Sequence, residues 1–333
     1  MLGYKEGYVM KVLVTGGAGY IGSHMVLRLL EAGYQPVVVD DLSTGTRSLV
    51  PSQVPLHVFD IGEADKLSQL FQSEKFDVVM HFAASIKVGE SVQFPGKYYH
   101  NNFKNTVTLL DVMQQQQVKR IIFSSTAAIF GNPKYTPADE AHPKDPINPY
   151  GASKLMCEYA LRDFDIAYGI KSVSLRYFNA AGADALGRTG YRVHDASHII
   201  PSALQTALGI RKQLELFGRD YPTPDGTCVR DYIHVMDLCE AHLAALQYLK
   251  AGGESKQYNL GNGQGYTVQQ VIDTARKITG KSFEVISASR RAGDPPALVA
   301  DSTLAKAELG WQPKYPDLET IMQHALQWEK KCK

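Results

Sequence analysis

Two side chains with proton-transfer chemistry, Tyr150 and Lys154, lie four residues apart. On a helix, positions i and i+4 share one face, so the lysine ammonium can lie beside the tyrosine phenol. A tyrosine with its ordinary pKa of about 10 is a poor base at neutral pH, and lowering that pKa by about three units takes roughly 4 kcal/mol. One ammonium at ~4 Å, with an effective dielectric of about 20, supplies a similar free energy. The pair therefore predicts a tyrosine base whose pKa Lys154 lowers, with the hydroxyl of Thr126 sharing the proton.

A glycine-rich segment follows the first apolar run and precedes a helical pattern. Gly16, Gly19 and Gly22 recur at every third position within it, and glycines at such a turn let the backbone approach a pyrophosphate at the helix N-terminus. Asp40 ends the next apolar run, 18 residues after Gly22. A carboxylate there hydrogen-bonds a ribose 2′-hydroxyl and repels a 2′-phosphate, and no arginine adjoins it. The segment predicts a site for NAD rather than NADP, although the glycines alone also fit a tight turn with no ligand.

Together with the strand-end hydroxyls of Ser124 and Thr126, these two motifs predict an enzyme that transfers hydride. Each motif alone has an ordinary explanation, because a tyrosine and a lysine four residues apart are frequent in amphipathic helices. The alternative from another class is a non-catalytic protein that senses NAD or acts as a scaffold. The presence of both Tyr150 and Lys154 argues against that alternative.

Apolar runs alternate with helical patterns up to about Asn179, which predicts a doubly wound parallel (Rossmann) α/β sheet covered on both faces. Beyond that point the alternation ends, and we expect a second, smaller mixed α/β domain. Strands are predicted over 11–15, 36–40, 56–59, 76–81, 118–125, 172–177 and 258–260. Helices are predicted over 20–33, 64–73, 91–117 (broken near Pro95), 150–168, 235–249, 268–279 and 318–330, with a loop over 182–195.

Length and composition exclude several classes of protein. A chain of 333 residues is long enough for about two domains, and a net charge of +1 gives no indication of nucleic-acid binding. The 4 cysteines form no Cys-x-x-Cys pair, so we expect neither a metal site nor disulfides, and reduced thiols indicate the cytoplasm. No apolar run is long enough to cross a membrane. Residues 1–10 carry no secretion signal and are either a disordered extension or precede a true start at Met10.

These motifs resemble the extended short-chain dehydrogenase/reductase superfamily, and within it the epimerases that invert C4 of UDP-hexoses. The resemblance runs from about Lys11 to Trp328. It implies interconversion of UDP-glucose and UDP-galactose with NAD retained through the cycle, in a homodimer paired through helices near 98–114 and 150–168. It also implies that residues 1–180 bind NAD and residues 181–333 bind the nucleotide sugar. The stretches that carry it are 79–83, 88–91, 175–179, 217–223, 225–227, 229–237, 258–261 and 291–294.

The resemblance assigns roles to individual residues, with Tyr150 as the base and Lys154 and Thr126 as its catalytic partners. The guanidinium groups of Arg230 and Arg291 suit a diphosphate, although either arginine, considered alone, would also fit a surface salt bridge. The residues implied for NAD are Gly16, Gly19, Tyr20, Ile21, Gly22, Asp40, Asp60, Ile61, Phe82, Ala83, Asn101, Ser124, Tyr150, Lys154 and Tyr177. The residues implied for the UDP-sugar are Thr126, Phe178, Asn179, His198, Ile199, Leu216, Phe217, Arg230, Tyr232, Arg291, Asp294 and Leu298.

The sequence departs from that family pattern at three places. Lys87 lies one position later than the corresponding lysine of familiar members, so we assign it no phosphate role. Ser197-His198-Ile199 replaces a typical pair of asparagines, and His198 is expected to bond the nucleotide instead. His194 and His198 also have the spacing of metal ligands, but no acidic or cysteine cluster accompanies them. Residues 191–196 match the pattern poorly and receive no role.

Related activities on the same fold remain as alternatives. Nucleotide-sugar dehydratases and decarboxylases need an acid/base residue after the strand-end hydroxyl, and Ala127-Ala128 stands there. A net dehydrogenase would exchange its cofactor at each turnover. The substrate could also be UDP-N-acetylglucosamine or UDP-xylose. Leu298 lies at the family position that controls room for an N-acetyl group, and its moderate size predicts some activity on UDP-N-acetylglucosamine.

Overall fold

The computed structural model describes residues 8–192, 198–291 and 294–333. Strands alternate with helices in the first half, and shorter elements follow. The strands are β1 (Lys11–Thr15), β2 (Gln35–Val39), β3 (Leu56–His57), β4 (Val78–His81), β5 (Arg120–Thr126), β6 (Lys171–Tyr177), β7 (Asn179–Ala181), β8 (Leu214–Phe217), β9 (Val229–His234), β10 (Lys256–Leu260), β11 (Gly265–Thr267), β12 (Val285–Ala288) and β13 (Ala297–Leu298). The helices are α1 (Tyr20–Glu31), α2 (Ala64–Glu74), α3 (Val88–Gln93), α4 (Pro95–Tyr98), α5 (Asn105–Gln115), α6 (Pro149–Tyr168), α7 (Ile199–Ala207), α8 (Val235–Lys250), α9 (Val268–Thr279), α10 (Thr303–Leu309) and α11 (Leu318–Cys332).

Seven parallel strands form the central sheet, in the order β10-β6-β5-β4-β1-β2-β3. The predicted doubly wound fold is confirmed. From β1 the sheet grows in one direction through β2 and β3, and in the other through β4, β5 and β6. A crevice opens where the order reverses, outside the carboxyl ends of β1 and β4, and folds of this type bind their ligands there.

Two apolar clusters cover opposite faces of this sheet. Val12 and Val14 of β1 pack in one cluster with Met25 of α1. Leu13, between them, packs in the other cluster with Leu109 of α5. Successive side chains of a strand point to opposite faces, so a strand buried on both sides reads as a continuous apolar run in the sequence.

Helix α8 and strand β10 return from the second half of the chain to the central sheet. Strand β10 pairs with β6, and Leu238 and Leu246 of α8 lie in the same cluster as Val12. Both elements lie in the segment predicted as the second domain, 181–333, but their apolar faces complete the layer of the central sheet. The division of the rest of the chain at about residue 180 stays a prediction.

The other elements of the second half pack as a separate layer. Helices α7, α9 and α11 share an apolar cluster that includes Leu204, Ile272 and Met322. Strands β11, β9 and β13 form a small sheet in which β7 also pairs with β9, and β12 pairs with β8. This layer brings β9 and β13 opposite the crevice.

The helical pattern over 91–117 is interrupted near Pro95, as the sequence predicts. Pro95 opens α4, where a missing N–H costs nothing at the first helical position. A π-helical turn over Tyr99–Lys104 then leads into α5. The turn directs Asn101 and Asn102 at Ser85, whose N–H donates to both side-chain amide oxygens at 2.9 and 2.8 Å. The irregular helix thus holds the loop after β4.

The described part of the N-terminal extension packs on the fold. Met10 is buried, and its carbonyl accepts the N–H of Gln35. The Tyr8 hydroxyl donates to Asp77 at 2.8 Å. Of the two alternatives given for residues 1–10, a disordered extension does not describe these positions, and residues 1–7 lie outside the described part. Within the described ranges, no helix combines the length and apolar composition needed to span a membrane.

Candidate functional site

A cavity of about 770 Å³ opens at the carboxyl ends of β1, β4 and β5. It reaches from the glycine turn before α1 to β9 and β13 in the second layer. Every residue assigned to NAD from the sequence lines this cavity. These residues are Gly16, Gly19, Tyr20, Ile21, Gly22, Asp40, Asp60, Ile61, Phe82, Ala83, Asn101, Ser124, Tyr150, Lys154 and Tyr177.

The glycine turn has the shape that a dinucleotide requires. Gly16 has a φ of +72°, and a Cβ there would lie 2.6 Å from the backbone nitrogen of Ala83. A Cβ at Gly22 would collide with the carbonyl oxygen of Gly16, so α1 can approach the turn only with glycine at that position. At Gly19, the residue before α1, an added Cβ would have only the Gly16 carbonyl within 4 Å. The backbone at the start of α1 is therefore accessible to a pyrophosphate.

Asp40 lines the part of the cavity that is predicted to hold the adenosine ribose. Its carboxylate accepts the N–H groups of Ala18 and Leu42, both at 2.9 Å. Burial raises the pKa of Asp40, and these two hydrogen bonds oppose that rise. The next cavity residues along the chain, Asp41 and Ser43, carry no positive charge. The site thus fits the ribose hydroxyls of NAD and disfavours the 2′-phosphate of NADP.

Helix α6 brings Tyr150 and Lys154 to the end of β5. The side chain of Asn148 caps the helix by accepting the N–H of Gly151 at 2.9 Å. The Lys154 ammonium donates to the carbonyl oxygen of Ser124 at 2.9 Å and lies 4.7 Å from the centre of the Phe123 ring. The Thr126 hydroxyl accepts the N–H of Ala128 at 3.1 Å.

The electrostatics of Tyr150 differ from those predicted. Burial raises the pKa of Tyr150, and its hydrogen bond with Thr126 opposes the rise. Lys154 was predicted to lower this pKa, but its ammonium is directed at the Ser124 carbonyl. Burial in turn lowers the pKa of Lys154 to about 8. Among the described residues, Thr126 is therefore the group that favours the phenolate.

The substrate-binding residues predicted from the sequence divide into two groups. Those that line the cavity lie at the ends of β6, β9 and β13 and at the start of α7. Arg230 is held there by the carbonyl of Pro295 at 2.9 Å and by Asp294 at 3.3 Å. The cavity group comprises Thr126, Phe178, Asn179, His198, Arg230, Asp294 and Leu298.

The second group, Ile199, Leu216, Phe217, Tyr232 and Arg291, does not line the cavity in the structure. Leu216 and Tyr232 are buried in the cluster of the second layer, because their strands direct these side chains inward. Within the described residues, the buried Tyr232 hydroxyl has no hydrogen-bond partner. Arg291 lies with its guanidinium 4.0 Å from the centre of the Phe217 ring. Desolvation lowers the pKa of His198, and the charge of Arg291 adds to that lowering.

Several cavity residues received no role from the sequence, among them Lys87, Glu90, Lys97, Tyr191 and Arg192. Short helices or loops carry them, and no regular spacing marks such positions. For Lys87 and for residues 191–196 the departure from the family pattern was the only available signal. His194 and Ser197, which were also considered, lie outside the described residues.

Known proteins resemble the chain over almost its whole length. It matches the NAD dependent epimerase/dehydratase family over residues 12–261. It is 50% identical over 320 residues to the UDP-glucose 4-epimerase of Azospirillum brasilense, a match that covers 96% of this chain and 92% of that protein. The UDP-glucose 4-epimerase from Brucella ovis in complex with NAD superposes with a TM-score of 0.93 and 45% identity, over 96% of this chain and 98% of that one. The UDP-Glc/GlcNAc 4-epimerase from Campylobacter jejuni superposes with a TM-score of 0.84 and 45% identity, over 97% and 100% of the two chains.

Proposed function

This chain belongs to the NAD dependent epimerase/dehydratase family, and from that premise we propose that it interconverts UDP-glucose and UDP-galactose. The reaction oxidises C4 of the hexose to a ketone, turns the sugar over in the site, and reduces C4 from the opposite face. Bound NAD supplies the redox chemistry, first as acceptor and then as donor of the C4 hydride. The observation that carries the proposal is the Tyr150 phenol beside the Thr126 hydroxyl, in a cavity that the predicted NAD residues line.

The chain's own residues handle the proton. Tyr150 accepts the proton of the C4 hydroxyl during oxidation and returns it after reduction. Thr126 shares the proton, since its hydroxyl lowers the pKa of the phenol. Lys154, whose pKa is about 8, is mostly protonated at neutral pH, and its ammonium donates to the Ser124 carbonyl at the end of β5. Ala127 and Ala128, which follow Thr126 in the sequence, have no side-chain group that can donate or accept a proton. Their presence disfavours a dehydratase or decarboxylase.

The UDP group is proposed to bind across the second layer. Arg230 offers a guanidinium group for the diphosphate, and Asn179 offers a further polar group in the cavity. Roles for Arg291 and Tyr232, which do not line the cavity in the structure, stay predictions. His198 lines the same cavity as Arg230, so both can face one nucleotide. Firm binding of UDP next to a loosely held hexose is what inversion by rotation requires.

The test is an NMR measurement on the purified protein incubated with UDP-galactose and no added NAD. Formation of UDP-glucose, settling to an equilibrium mixture, supports inversion with a retained cofactor. No conversion after NAD is supplied would contradict the proposed substrate. Conversion only with stoichiometric reduction of NAD would indicate a dehydrogenase instead.

A second substrate, UDP-N-acetylglucosamine, is favoured by one observation. Leu298, rather than an aromatic side chain, lines the cavity and packs with Phe178 against the cluster of Ala127 and Phe130, beside Thr126. The similar Campylobacter jejuni protein is a UDP-Glc/GlcNAc 4-epimerase. We propose that this chain accepts the N-acetylated sugar in addition to the unsubstituted hexose.

We also propose that the protein acts in the cytoplasm, in galactose metabolism, as a homodimer. All four cysteines are free, which fits a reducing compartment. Helix α6 exposes Tyr159 and Ile166, with 80% of Ile166 accessible, and Val92 and Phe94 are exposed around the end of α3. Apolar patches of this kind indicate an interface, and sedimentation analysis of the wild type beside Ile166→Glu tests it.

A further inference from the structure

Residues 182–192, which we call the strap, connect β7 to the cavity along the outside of α1. Three contacts fix the strap to that helix. The Tyr20 hydroxyl donates to the carbonyl of Gly182 at 2.7 Å, and the Ser23 and Thr189 hydroxyls are 2.8 Å apart. Arg188 pairs with Glu31 at the far end of α1. The strap is thus fixed to the helix that begins at the cofactor turn.

The strap ends inside the cavity, at Tyr191 and Arg192. The Tyr191 ring lies between two other cavity residues. It meets the Tyr20 ring edge to face at 5.3 Å and 79°, and the His198 ring at 5.5 Å and 78°. The three rings form a row from Tyr20, the first residue of α1, to His198, the residue that precedes α7. Displacement of Tyr191 would therefore remove the ring contact that packs against His198.

The C-terminal helix α11 sets the position of Tyr191. The Trp328 indole N–H donates to the carbonyl oxygen of Tyr191 at 2.9 Å. The indole ring lies so close to Gly190 that a Cβ at that position would collide with it. Trp328 is itself buried with Leu49 and Ala183, and Lys331 donates to the carbonyl of Gly187 at 2.8 Å. The strap therefore packs against the buried side chain of Trp328.

We propose that Tyr191 is a binding residue of the nucleotide-sugar site and that Trp328 is the positioning residue that holds it there. The proposal rests on the proposed function and extends it to Trp328, which lies 137 residues after Tyr191 in the sequence. Trp328 acts through the strap, since it does not line the cavity. Its loss should weaken binding of the nucleotide and leave the proton and hydride steps unchanged.

The chain contains 2 tryptophans, and the second one, Trp311, serves as a matched control. Trp311 is also buried, and its indole N–H also donates to a backbone carbonyl, that of Asp237 at 2.8 Å. Neither Trp311 nor Asp237 lines the cavity. Replacing either tryptophan by phenylalanine removes one comparable hydrogen bond and keeps an aromatic ring, so a general loss of stability should affect both variants alike.

The experiment measures the Kd of UDP by titration calorimetry, and kcat and KM with UDP-galactose, for Trp328→Phe and Trp311→Phe. Loss of one hydrogen bond predicts that Trp328→Phe raises the Kd and KM about fivefold, with kcat within about twofold of wild type. Trp311→Phe should change none of the three. Equal Kd and KM values in the two variants, with similar losses in Tm, would overturn the proposal.

Two further variants keep the test decisive if Trp328→Phe is poorly folded. Gly190→Ala should raise the Kd of UDP by pushing the strap off the indole. Tyr191→Ala should raise it as well, and adding Trp328→Phe to Tyr191→Ala should produce no further rise, because the two residues act in series. Additive effects of that pair would show that Trp328 acts elsewhere. If the wild type itself binds no UDP, the proposed function fails and the inference fails with it, whereas normal wild-type binding with no effect of these variants defeats the inference alone.

Discussion

The carboxylate of Glu158 accepts two hydrogen bonds from the guanidinium of Arg176, at 2.9 and 2.7 Å, directly behind the catalytic strand end. Both side chains are almost fully buried. The same carboxylate accepts the hydroxyl of Ser125 at 2.6 Å. Glu158 belongs to α6, Arg176 to β6 and Ser125 to β5, so one ion pair joins the three elements that bring Tyr150 beside Thr126.

We predict that breaking this pair strongly destabilises the protein. Arg176→Met leaves an unpaired carboxylate in a buried site, which costs about 3–5 kcal/mol. Denaturant unfolding monitored by circular dichroism measures the change in free energy. The double variant Glu158→Leu with Arg176→Met removes both charges and should lose less than Arg176→Met alone. A loss below about 1 kcal/mol for the single variant, the level of an exposed pair, would show that the pair does not organise this region.

Removal of the Tyr150 hydroxyl is predicted to abolish catalysis without affecting binding. Tyr150→Phe keeps the ring and loses the group that exchanges the proton, which should lower kcat by about 10²–10⁴-fold. The Kd of UDP should stay within about twofold. Tyr135→Phe, which removes an exposed hydroxyl bonded to Asp139, is the matched control and should have wild-type kinetics. A Tyr150→Phe variant with a near wild-type rate would mean that another group is the base.

We predict that the buried charge of Lys154 lowers the free energy of unfolding by an amount that depends on pH. Burial lowers its pKa to about 8 from an ordinary value of 10.5, so between these pH values the unfolded chain binds more protons than the folded one. Stability therefore rises with pH across this window, and below pH 8 the buried charge costs about 3 kcal/mol. Lys154→Met should remove that slope.

The measurement is the free energy of unfolding of wild type and Lys154→Met from pH 7 to pH 10.5. The variant should gain most relative to wild type at pH 7, and the difference should close towards pH 10.5. Lys119→Met, which removes a solvent-exposed lysine that donates to the carbonyl of Tyr168, serves as the comparison. A constant difference between Lys154→Met and wild type over the whole range would mean that Lys154 is charged equally in both states.

The first half of the fold and the cofactor side of the cavity were predictable because they follow regular patterns. A buried strand such as β1 reads as a continuous apolar run, and the glycine spacing before α1 has a direct steric cause. Asp40 could be predicted from its position in the sequence, 18 residues after Gly22. These features depend on residues close together in sequence, so one stretch of chain carries the whole signal.

The remaining features depend on contacts that a sequence does not display. Strand β10 resembles any short strand, and only its pairing with β6 assigns it to the central sheet. The Lys154 ammonium was expected beside Tyr150, but the nearby carbonyl of Ser124 is its acceptor. Tyr191 lines the cavity, and its backbone carbonyl accepts a hydrogen bond from Trp328, far along the chain.

Leu298 should determine how large a sugar the site accepts. It lies in β13 opposite Arg230 of β9, between the proposed diphosphate site and the wall formed with Phe130. A larger side chain here fills space that a 2-N-acetyl group would need, and Leu298→Tyr should lower kcat/KM for UDP-N-acetylglucosamine by about tenfold or more. Its kcat/KM for UDP-galactose should fall by less than about threefold, because the unsubstituted hexose leaves that space free.

The measurement is kcat/KM for both sugars, by NMR or a coupled assay, in wild type, Leu298→Tyr and Leu298→Cys. The cysteine variant changes size in the other direction and should favour the N-acetylated sugar, so the ratio of the two kcat/KM values should follow side-chain volume. A loss of both activities in Leu298→Tyr would indicate a general disturbance of the cavity. No detectable turnover of UDP-N-acetylglucosamine by concentrated wild-type enzyme would contradict the dual specificity, and the wall at Leu298 would then be too close to the sugar for any N-acetyl group.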